Sequence, residues 1–292
     1  MDYQLLKLGS DAEFFLMRKD QLVPVCGLIG GTKDNPRPVL TGQGFAVQED
    51  NVTLEFNIPP AANASEFADN ITKMLVYLRQ ELQNMDLVPR YNSAEFFPMA
   101  VLQEHLKAFA FGCEPDFCVW TRSVNVTPDP ITQFPSPRKP TPAIAGQFRA
   151  AGYHVHASYL VAKRDSTLEE KELFVKAQDL FLGVPATLLE SNRKPSARRA
   201  FYGRAGAFRP KAYGHEYRVL GSNVLSDNPA RHKWIYENTQ AAIAWLNTCE
   251  TPDIADQHFG RISQFIWSAI NDSHHDSAQM LMTTYNIAPI PQ

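Results

Sequence analysis

Apolar side chains along this chain repeat with two different spacings, which predict a protein that mixes strands and helices. Strand-like runs occupy residues 3–8, 13–18, 22–26 and 51–58. In the segment at about 65–84, apolar residues recur at every third or fourth position, which is the spacing of one helix face: Phe67, Ile71, Met74, Leu75 and Leu78. The pattern therefore predicts the α+β fold class.

Another helix is predicted in the second half of the chain from signals at both of its ends. Asp165 or Ser166 can cap its start, and Glu169, three residues after Ser166, would complete a capping box. Gly183 and Pro185 should end it, because glycine favours a helix terminus and proline lacks a backbone donor.

The C-terminal part, at about 229–285, is also predicted to be helical. Pro229 stands at the start of a first helix near 229–248, where the missing backbone N–H of proline costs nothing. A second helix is predicted from about Pro252 to His275.

Composition narrows the classes of function. The chain has 292 residues, 44% of them hydrophobic and 20% charged, as in a globular protein. Its net charge of −3 gives no general attraction to a phosphate backbone, so we expect no nucleic-acid partner. No run approaches the roughly 18 apolar residues of a membrane span, and the start lacks a basic region followed by an apolar run. We expect a cytoplasmic protein without a membrane partner.

Three segments place polar side chains at alternate positions, which predicts a polar face on each of three strands. The pairs are Asp11 with Glu13, His154 with His156, and Glu216 with Arg218. Residues two apart in a strand lie about 6.6 Å from each other on the same face. Three such pairs predict a polar surface that holds a charged ligand.

The residue types divide into metal ligands and phosphate ligands. Carboxylates suit hard divalent cations such as Mg²⁺, and Glu13, Glu55 and Glu216 are candidate ligands. Planar guanidinium groups suit phosphate oxygens, and five arginines fall in a short stretch: Arg198, Arg199, Arg204, Arg209 and Arg218. A metal site beside arginines indicates phosphoryl transfer.

Five segments in this order also carry a family resemblance. They are Gly9-Ser10-Asp11-Ala12-Glu13-Phe14, Leu54-Glu55-Phe56-Asn57-Ile58-Pro59-Pro60, Phe111-Gly112-Cys113-Glu114-Pro115-Asp116-Phe117, Gly152-Tyr153-His154-Val155-His156, and a long block from Tyr202 to Arg218. The chain resembles the carboxylate–amine ligases of the glutamine synthetase and glutamate–cysteine ligase superfamily. It is most similar to the phage-type group called COOH-NH2 ligase, type 2.

The resemblance implies a fold and a reaction. The fold would be a mainly antiparallel, curved sheet with a polar concave active-site face and helices packed on the other face. The reaction would use ATP with Mg²⁺ or Mn²⁺ to convert a substrate carboxylate to an acyl phosphate, which an amine then converts to an amide. Substrates would be small-molecule or peptide carboxylates and amines, in the host cytoplasm if the protein is phage-encoded. The substrates' identity and the oligomeric state are left open.

The resemblance also implies roles for individual residues. The metal ligands would be Asp11, Glu13, Glu55, His154 and Glu216, and the catalytic arginines Arg204, Arg209 and Arg218. The nucleotide would contact Arg199, Arg204, Arg209, Lys211 and His156. Two departures stand out: the first acid is Asp11 where glutamate is commoner, and the acid expected before Glu55 could be Glu49, Asp50 or neither. Because clustered acids repel one another, we expect replacement of Glu13 or Glu216 to leave the fold intact or slightly stabilised.

The family-like segments lie on both sides of a proline-rich stretch, which bears on the domain organisation. Six prolines between Thr127 and Pro142 disfavour a helix or a central strand, so a loop is predicted at about 127–143. We expect one catalytic domain spanning residues 1–292, with this loop as a mobile insertion that could act as a lid. The cysteines, Cys26, Cys113, Cys118 and Cys249, are scattered and are expected to serve in packing.

Other functions fit parts of the pattern. His-x-His also begins the metal site of hydrolases built on a TIM barrel, but such a barrel needs about 250 residues. Only 136 residues follow His156. A guanidino-group kinase on the same scaffold would use the same arginines without forming an amide. A non-enzymatic phage structural or host-interaction protein would keep the scaffold alone.

Overall fold

The computed structural model describes residues 1–109, 116–124, 127–128, 135–136 and 146–292. Its strands are β1 (Tyr3–Arg18), β2 (Gln21–Val23), β3 (Arg37–Pro38), β4 (Ala46–Asp50), β5 (Thr53–Asn57), β6 (Val88–Arg90), β7 (Ala94–Phe96), β8 (Phe117–Cys118), β9 (Ser123–Val124), β10 (Thr127–Pro128), β11 (Pro135–Ser136), β12 (Phe148–Ala150), β13 (Tyr153–Val161), β14 (Arg164–Asp165), β15 (Ala207–Lys211) and β16 (Gly214–Tyr217). Its α-helices are α1 (Ala64–Gln83), α2 (Met99–Gln103), α3 (Leu168–Gln178), α4 (Val184–Ala186), α5 (Pro229–Thr248), α6 (Pro252–Asp272) and α7 (His275–Thr284). Most of the predicted proline-rich loop, and Cys113, lie outside the described residues.

One large sheet organises the described part of the chain. Its strands follow the order β3-β4-β5-β1-β13-β16-β15-β8-β9, with β2 and β6 paired to β1 and β14 paired to β13. Every pairing in it is antiparallel. Two strand-like runs of the sequence, 3–8 and 13–18, form the single long strand β1. The prediction of an α+β fold with a mainly antiparallel sheet is confirmed.

The two faces of this sheet differ in polarity. Along β13, the buried residues Tyr153, Val155, Ala157 and Tyr159 alternate with the polar pair and face the helices. The apolar face forms the main core with α1, α3 and α5, for example through an edge-on contact at 4.8 Å between the rings of Tyr159 and Phe174. The helices therefore pack on the face opposite the polar pairs, as predicted.

Helix α1 begins and ends close to the positions that its apolar spacing predicts. Asn63 caps its start by accepting a hydrogen bond from the backbone N–H of Glu66. The buried residues of the helix include the predicted stripe, since Phe67 and Ile71 are fully enclosed. Local spacing was sufficient here because the helix packs by one face only.

The predicted capping box of α3 is shifted by one residue. Thr167 accepts from the backbone N–H of Glu170, and the carboxylate of Glu170 accepts from the N–H of Thr167. The chain does not stop at Gly183 but passes through a π-helical turn, Asp179–Gly183, into α4. Pro185 is accommodated there because it lies in the first turn of α4, where a backbone donor is not needed.

The C-terminal part is helical, as predicted, but it contains one helix more than the sequence pattern indicated. Helix α5 spans the predicted residues Pro229–Thr248, whereas α6 ends at Asp272. Ser273 adopts a left-handed backbone conformation, and α7 starts immediately afterwards. Within the described residues, no helix combines the length and the apolar character that crossing a membrane requires.

Candidate active site on the polar face of the sheet

The first group of polar side chains on this face, which we call the Asp11 cluster, consists of Asp11, His154 and Glu216. Asp11 and His154 are opposite each other in the register of β1 and β13. His154 Nδ1 lies 3.2 Å from Asp11 Oδ1 and 3.8 Å from Glu216 Oε1. A ligand atom from each of the three residues falls within 4.8 Å of the others, a spacing at which they could hold one metal ion.

The second group, which we call the Glu13 cluster, consists of Glu13, Asp50 and Glu55. Glu13 and Glu55 are paired across β1 and β5, and Asp50 reaches them from the end of β4. Their ligand atoms also lie within 4.8 Å of one another. Gln48 donates to Glu55 at 2.7 Å, and the backbone N–H of Gly152 donates to Glu13 at 2.8 Å. Because Asp11 and Glu13 alternate on β1, the two clusters are neighbours on one face.

The position of Asp50 answers a question that the sequence left open. Asp50 joins the cluster, whereas Glu49 accepts hydrogen bonds from the backbone N–H groups of Gly27, Ile29 and Gly30. Neighbouring residues of a strand point to opposite faces, so only one of the two acids could lie beside Glu55.

The charges within the Asp11 cluster favour an ionised acid beside a neutral imidazole. Burial, together with the nearby Arg218, lowers the pKa of His154 to about 4. Burial alone would raise the pKa of Asp11, but His156 and His154 outweigh it and hold this pKa well below its usual range. Arg218 similarly outweighs burial at Glu216 and lowers its pKa to about 2. A neutral imidazole and two carboxylates are the protonation states that metal binding requires.

The Glu13 cluster is electrostatically different because, among the described residues, burial and the neighbouring acids outweigh the effect of Arg218 and Arg198 on Glu13. Burial first, and then the charge of Asp50, raise the pKa of Glu13 to about 7. Burial, Asp11 and Glu13 raise the pKa of Glu55 well above its ordinary value. Acids gathered in this way repel one another until a cation or a proton joins them.

Three cationic side chains surround Glu216. Arg218 donates from Nη1 to the Glu216 carboxylate, and Lys211 Nζ lies 2.9 Å from its other oxygen. Arg209 Nη1 lies 3.8 Å from Glu216 Oε1. Asp116 is the second acidic partner of Arg218 and accepts a hydrogen bond from its Nε at 2.6 Å. Glu216 and Arg218 thus share one face, as their spacing predicts.

The two remaining arginines of the predicted site have different surroundings. Among the described residues, the guanidinium of Arg204 has no hydrogen-bond or ion-pair partner, and this side chain is partly exposed. Arg199 is buried and lies 2.7 Å from Glu190, with a further hydrogen bond to the carbonyl of Gly203. The structure therefore does not bring Arg199 to the acid clusters, and its contact with a nucleotide is not supported by its position.

A cavity of about 370 Å³ adjoins the Asp11 cluster. It is lined by Lys7, Gly9, Ser10, Asn57, Ile58, Pro60, His156, Ser158 and Tyr213. His156 Nε2 lies 3.0 Å from Asp11 Oδ1, and its Nδ1 is 2.6 Å from the hydroxyl of Tyr213. The cavity thus combines apolar surface with hydroxyl, amide and imidazole groups, as in a small-molecule site.

The residues present fit a divalent metal ion. Carboxylates predominate, and the one imidazole is held neutral by its surroundings. Although Asp11 Oδ1 and His156 Nε2 are buried and close together, neither has a well-directed hydrogen bond to any described residue. A buried carboxylate oxygen without a directed donor is suited to a cation.

A family comparison agrees with the resemblance seen in the sequence. Residues 143–246 match the family described as "Phage phiEco32-like COOH.NH2 ligase-type 2". This segment of the chain resembles that ligase family. The matched segment is about a third of the chain and contains His154, Arg204 and Glu216. It supports a carboxylate–amine ligase, while the acids of β1 and β5 lie outside it.

Comparisons with other proteins give weaker information. No curated protein sequence matches the chain. Solved structures similar to it include "Apo GmaS without ligand", which is 12% identical with a TM-score of 0.39, covering 97% of this chain and 69% of that one. A "novel glutamine synthase homolog" is also 12% identical, with a TM-score of 0.37 and coverages of 98% and 67%. A bifunctional glutathione synthetase from Pasteurella multocida is 10% identical, with a TM-score of 0.41 and coverages of 97% and 47%. Similarity at this level carries no argument about function.

Several residues of the site were not assigned a role from the sequence. Asp116 and Tyr213 lie in segments that carry the family resemblance, but nothing in their spacing links them to Arg218 or His156. Gln48 could have been found, because it alternates with Asp50 on β4. These two contacts join residues 102 and 57 positions apart, and contacts of such long range leave no local signal in the sequence.

Proposed function

We propose that this protein is an ATP- and Mg²⁺-dependent carboxylate–amine ligase that acts through an acyl phosphate, with Mn²⁺ as an alternative ion. The observation that carries the proposal is the pair of adjoining three-residue clusters on one sheet face, with cationic side chains gathered around Glu216. Two groups of acids that adjoin arginines suit a reaction in which metal-bound phosphate is transferred.

In this proposal, the Asp11 cluster and the Glu13 cluster hold divalent metal ions. The ions would neutralise phosphate oxygens and so lower the electrostatic barrier to phosphoryl transfer. Neutral His154 supplies a nitrogen ligand, while ionised Asp11 and Glu216 supply oxygens. Glu13 and Glu55 have raised pKa values, and a cation would convert both to carboxylates.

The cations around Glu216 would bind the phosphates. Arg218 is held rigidly by Asp116 and Glu216, so its guanidinium is ordered before a ligand arrives. Arg209, Lys211 and Arg204 are more exposed and can turn toward phosphate oxygens. Such groups stabilise the charge that develops on the transferred phosphoryl group.

The cavity beside the Asp11 cluster would receive the nucleoside part of ATP. Gly9, Ile58 and Pro60 offer flat apolar surface, while Ser158 and His156 offer hydrogen-bonding groups. Its volume of about 370 Å³ is in the range of small-ligand sites. Because this cavity adjoins one cluster on the same face, a nucleotide there would direct its phosphates to Glu216 and the arginines around it.

The proposed reaction has two balanced steps. A substrate carboxylate oxygen attacks the γ-phosphorus of ATP, the bond to the β,γ-bridging oxygen breaks, and ADP leaves. The amine nitrogen then attacks the acyl carbon, loses a proton, and displaces inorganic phosphate to give the amide. The residues of the site bind and orient the reactants and exclude water from the intermediate.

Hydroxylamine provides a direct test, because it intercepts an acyl phosphate as a stable hydroxamate. The purified protein is incubated with Mg²⁺, ATP, hydroxylamine and a panel of carboxylates that includes amino acids and peptides. We expect equal amounts of hydroxamate and ADP for at least one carboxylate, and none when a chelator replaces Mg²⁺. Arg218→Lys should reduce the yield sharply, because an ammonium group cannot reproduce two-point contact with phosphate.

The control and the alternatives are separated in the same experiment. Glu172→Gln changes a buried acid that is paired with Arg122 away from both clusters, and should keep the yield. ADP formed without hydroxamate, together with phosphorylation of a guanidino compound, would support the kinase instead. Binding of ATP that is equally tight with excess chelator would contradict the metal-bridged site.

A further inference from the structure

The face of the sheet opposite the candidate site carries a buried carboxylate that neither cluster uses. Asp179 lies at the start of the π-helical turn and is completely enclosed. Its Oδ2 accepts from Trp120 Nε1 at 2.6 Å, and its Oδ1 accepts from the hydroxyl of Tyr217 at 2.9 Å. The backbone N–H of Gly206 also acts on this carboxylate and lowers its pKa. No lysine or arginine forms an ion pair with Asp179 in the described part of the chain.

The partners of Asp179 belong to the elements that present the catalytic side chains. Tyr217 stands between Glu216 and Arg218 in the sequence and points to the opposite face. Gly206 lies within the turn that runs from Arg204 to Ala207, since the N–H of Ala207 donates to the carbonyl of Arg204 at 3.0 Å. One carboxylate is therefore attached to two elements whose other sides face the site.

This attachment tolerates little displacement. A Cβ on Gly206 would lie 2.5 Å from Trp120 Cδ1, and a Cβ on Gly183 would lie 2.6 Å from the Tyr217 hydroxyl. Gly206 also has a φ of +79°, which favours glycine. The turn, the indole and the phenol are thus in close contact around the carboxylate, so a change at Asp179 would move them together.

An acid at this position is unfavourable for stability. Burial raises the pKa of Asp179 to about 7, although Trp120 and Tyr217 both donate hydrogen bonds to it. A carboxylate accepts from the indole and from the phenol with one oxygen each, whereas the side-chain NH2 of asparagine would face one of these two groups. Proteins accept a local cost in stability of this kind mainly at functional sites.

We propose that Asp179 is a positioning residue for the candidate active site and acts through Tyr217 and Gly206. From the reverse face, it fixes β16 and the 204–207 turn, and thereby the placement of Glu216, Arg218 and Arg204 toward metal and phosphate. This inference rests on the proposed function, and its test includes metal binding, which is read without turnover.

The experiment compares Asp179→Asn and Tyr217→Phe with a matched control, Tyr3→Phe. Tyr3 is also buried and loses the same kind of hydroxyl, which donates to the carbonyl of Glu170 at 2.9 Å far from the site. Mn²⁺ binding is measured by calorimetry or electron paramagnetic resonance, and hydroxamate formation by kcat and KM. All measurements are made well below the melting temperature of each variant.

We expect Asp179→Asn and Tyr217→Phe to weaken Mn²⁺ binding about tenfold and to lower kcat about tenfold, a change of about 1.4 kcal/mol in each. Tyr3→Phe should match the wild type in both measurements while losing similar thermal stability. If both variants lost stability only, with wild-type Mn²⁺ affinity and kcat, Asp179 would be purely structural and the inference would be overturned.

The remaining outcomes separate this inference from the proposed function. If Asp179→Asn does not fold, Tyr217→Phe decides, because it removes a single oxygen. If the wild type binds Mn²⁺ but forms no hydroxamate, the ligase proposal fails and the Mn²⁺ comparison alone decides the role of Asp179. A wild-type protein that binds no Mn²⁺ would overturn both.

Discussion

Replacing Glu13 by glutamine should stabilise the metal-free protein, and the effect should depend on pH. Burial and Asp50 raise the pKa of Glu13 to about 7 from an ordinary 4.5. Because the folded state holds its proton more tightly than the unfolded state, Glu13 favours folding at low pH. That contribution is lost as the pH rises from about 4.5 through about 7.

The magnitude follows from the same two values. One pH unit corresponds to about 1.36 kcal/mol, so the interval from 4.5 to about 7 corresponds to about 3 kcal/mol of destabilisation above pH 7. Glutamine keeps an oxygen for the N–H of Gly152, which donates to Glu13 at 2.8 Å, and removes the charge. We therefore expect a gain of about 1 to 3 kcal/mol at pH 8 and little gain near pH 4.

The assay is urea unfolding in the presence of a chelator, at several pH values between 4 and 8.5. Glu190→Gln is a control of opposite sign, because Arg199 outweighs burial and lowers the pKa of Glu190. That variant should lose stability above about pH 4.5, and the loss should shrink as the pH falls. Adding Mg²⁺ should stabilise the wild type more than Glu13→Gln. A Glu13→Gln protein that is less stable than the wild type at pH 8 would refute the repulsion argument.

Three further predictions follow from single contacts. Glu216→Gln should destabilise the chelated protein by about 2 kcal/mol at pH 7, because it leaves Arg218 with one buried partner fewer. If Glu216→Gln and the wild type were equally stable in urea, the ion-pair account would be contradicted. The expectation from the sequence, that this variant is neutral or stabilised, would then be restored. Gly9→Val should raise the KM for ATP about tenfold, since its Cβ meets only ordinary contacts and the added methyl groups narrow the cavity. Calorimetry should show unchanged Mn²⁺ binding, and an unchanged KM would argue against a nucleotide in this cavity. Gly214→Ala should lower the free energy of unfolding, measured in urea, by about 2 kcal/mol or more. The φ of Gly214 is +149°, and a Cβ there would lie 2.1 Å from the carbonyl oxygen of Ala157. A variant as stable as the wild type would mean that the turn can shift.

The Asp11 cluster and the Glu13 cluster differ in the charges that surround them. The Asp11 cluster is balanced by cations, whereas the Glu13 cluster carries acids with raised pKa values. Metal affinity at the Glu13 cluster should therefore depend more strongly on pH between 5 and 8, since protons compete with the ion there. The Mn²⁺ measurements described above, repeated across this range, would resolve two classes of site.

Prediction from the sequence worked best where the signal was local. The one-sided apolar spacing of residues 65–84 identified α1, and Pro229 marked the start of α5. Prediction from the sequence failed where two local signals competed for the same helix start. Ser166 and Thr167 can both cap a helix, and each has a glutamate three residues later. In the structure Thr167 and Glu170 form the capping box, and Glu170 also lies 2.7 Å from Arg164.

The length of β1 also shows that local sequence patterns are insufficient when the surroundings of a residue come from other strands. The apolar spacing of the sequence predicted strand-like runs at 3–8 and 13–18, with the segment that contains Asp11 between them. In the structure β1 continues through that segment, since Asp11 and Glu13 face polar partners on β13 and β5. An acid can lie inside a sheet only when other strands supply its surroundings.

The sequence by itself determined which side chains share a face, because the period of a strand is fixed by its backbone. Asp11 with Glu13, and Glu216 with Arg218, follow from spacing alone. Only the tertiary structure decided which strands are neighbours, and therefore that Asp50 rather than Glu49 joins Glu55. Those neighbours also set burial and local charge, which leave Glu13 with a raised pKa and Glu216 with a lowered one. The reason is physical: covalent spacing acts over a few residues, whereas desolvation and Coulomb interactions act through space between residues far apart in the chain.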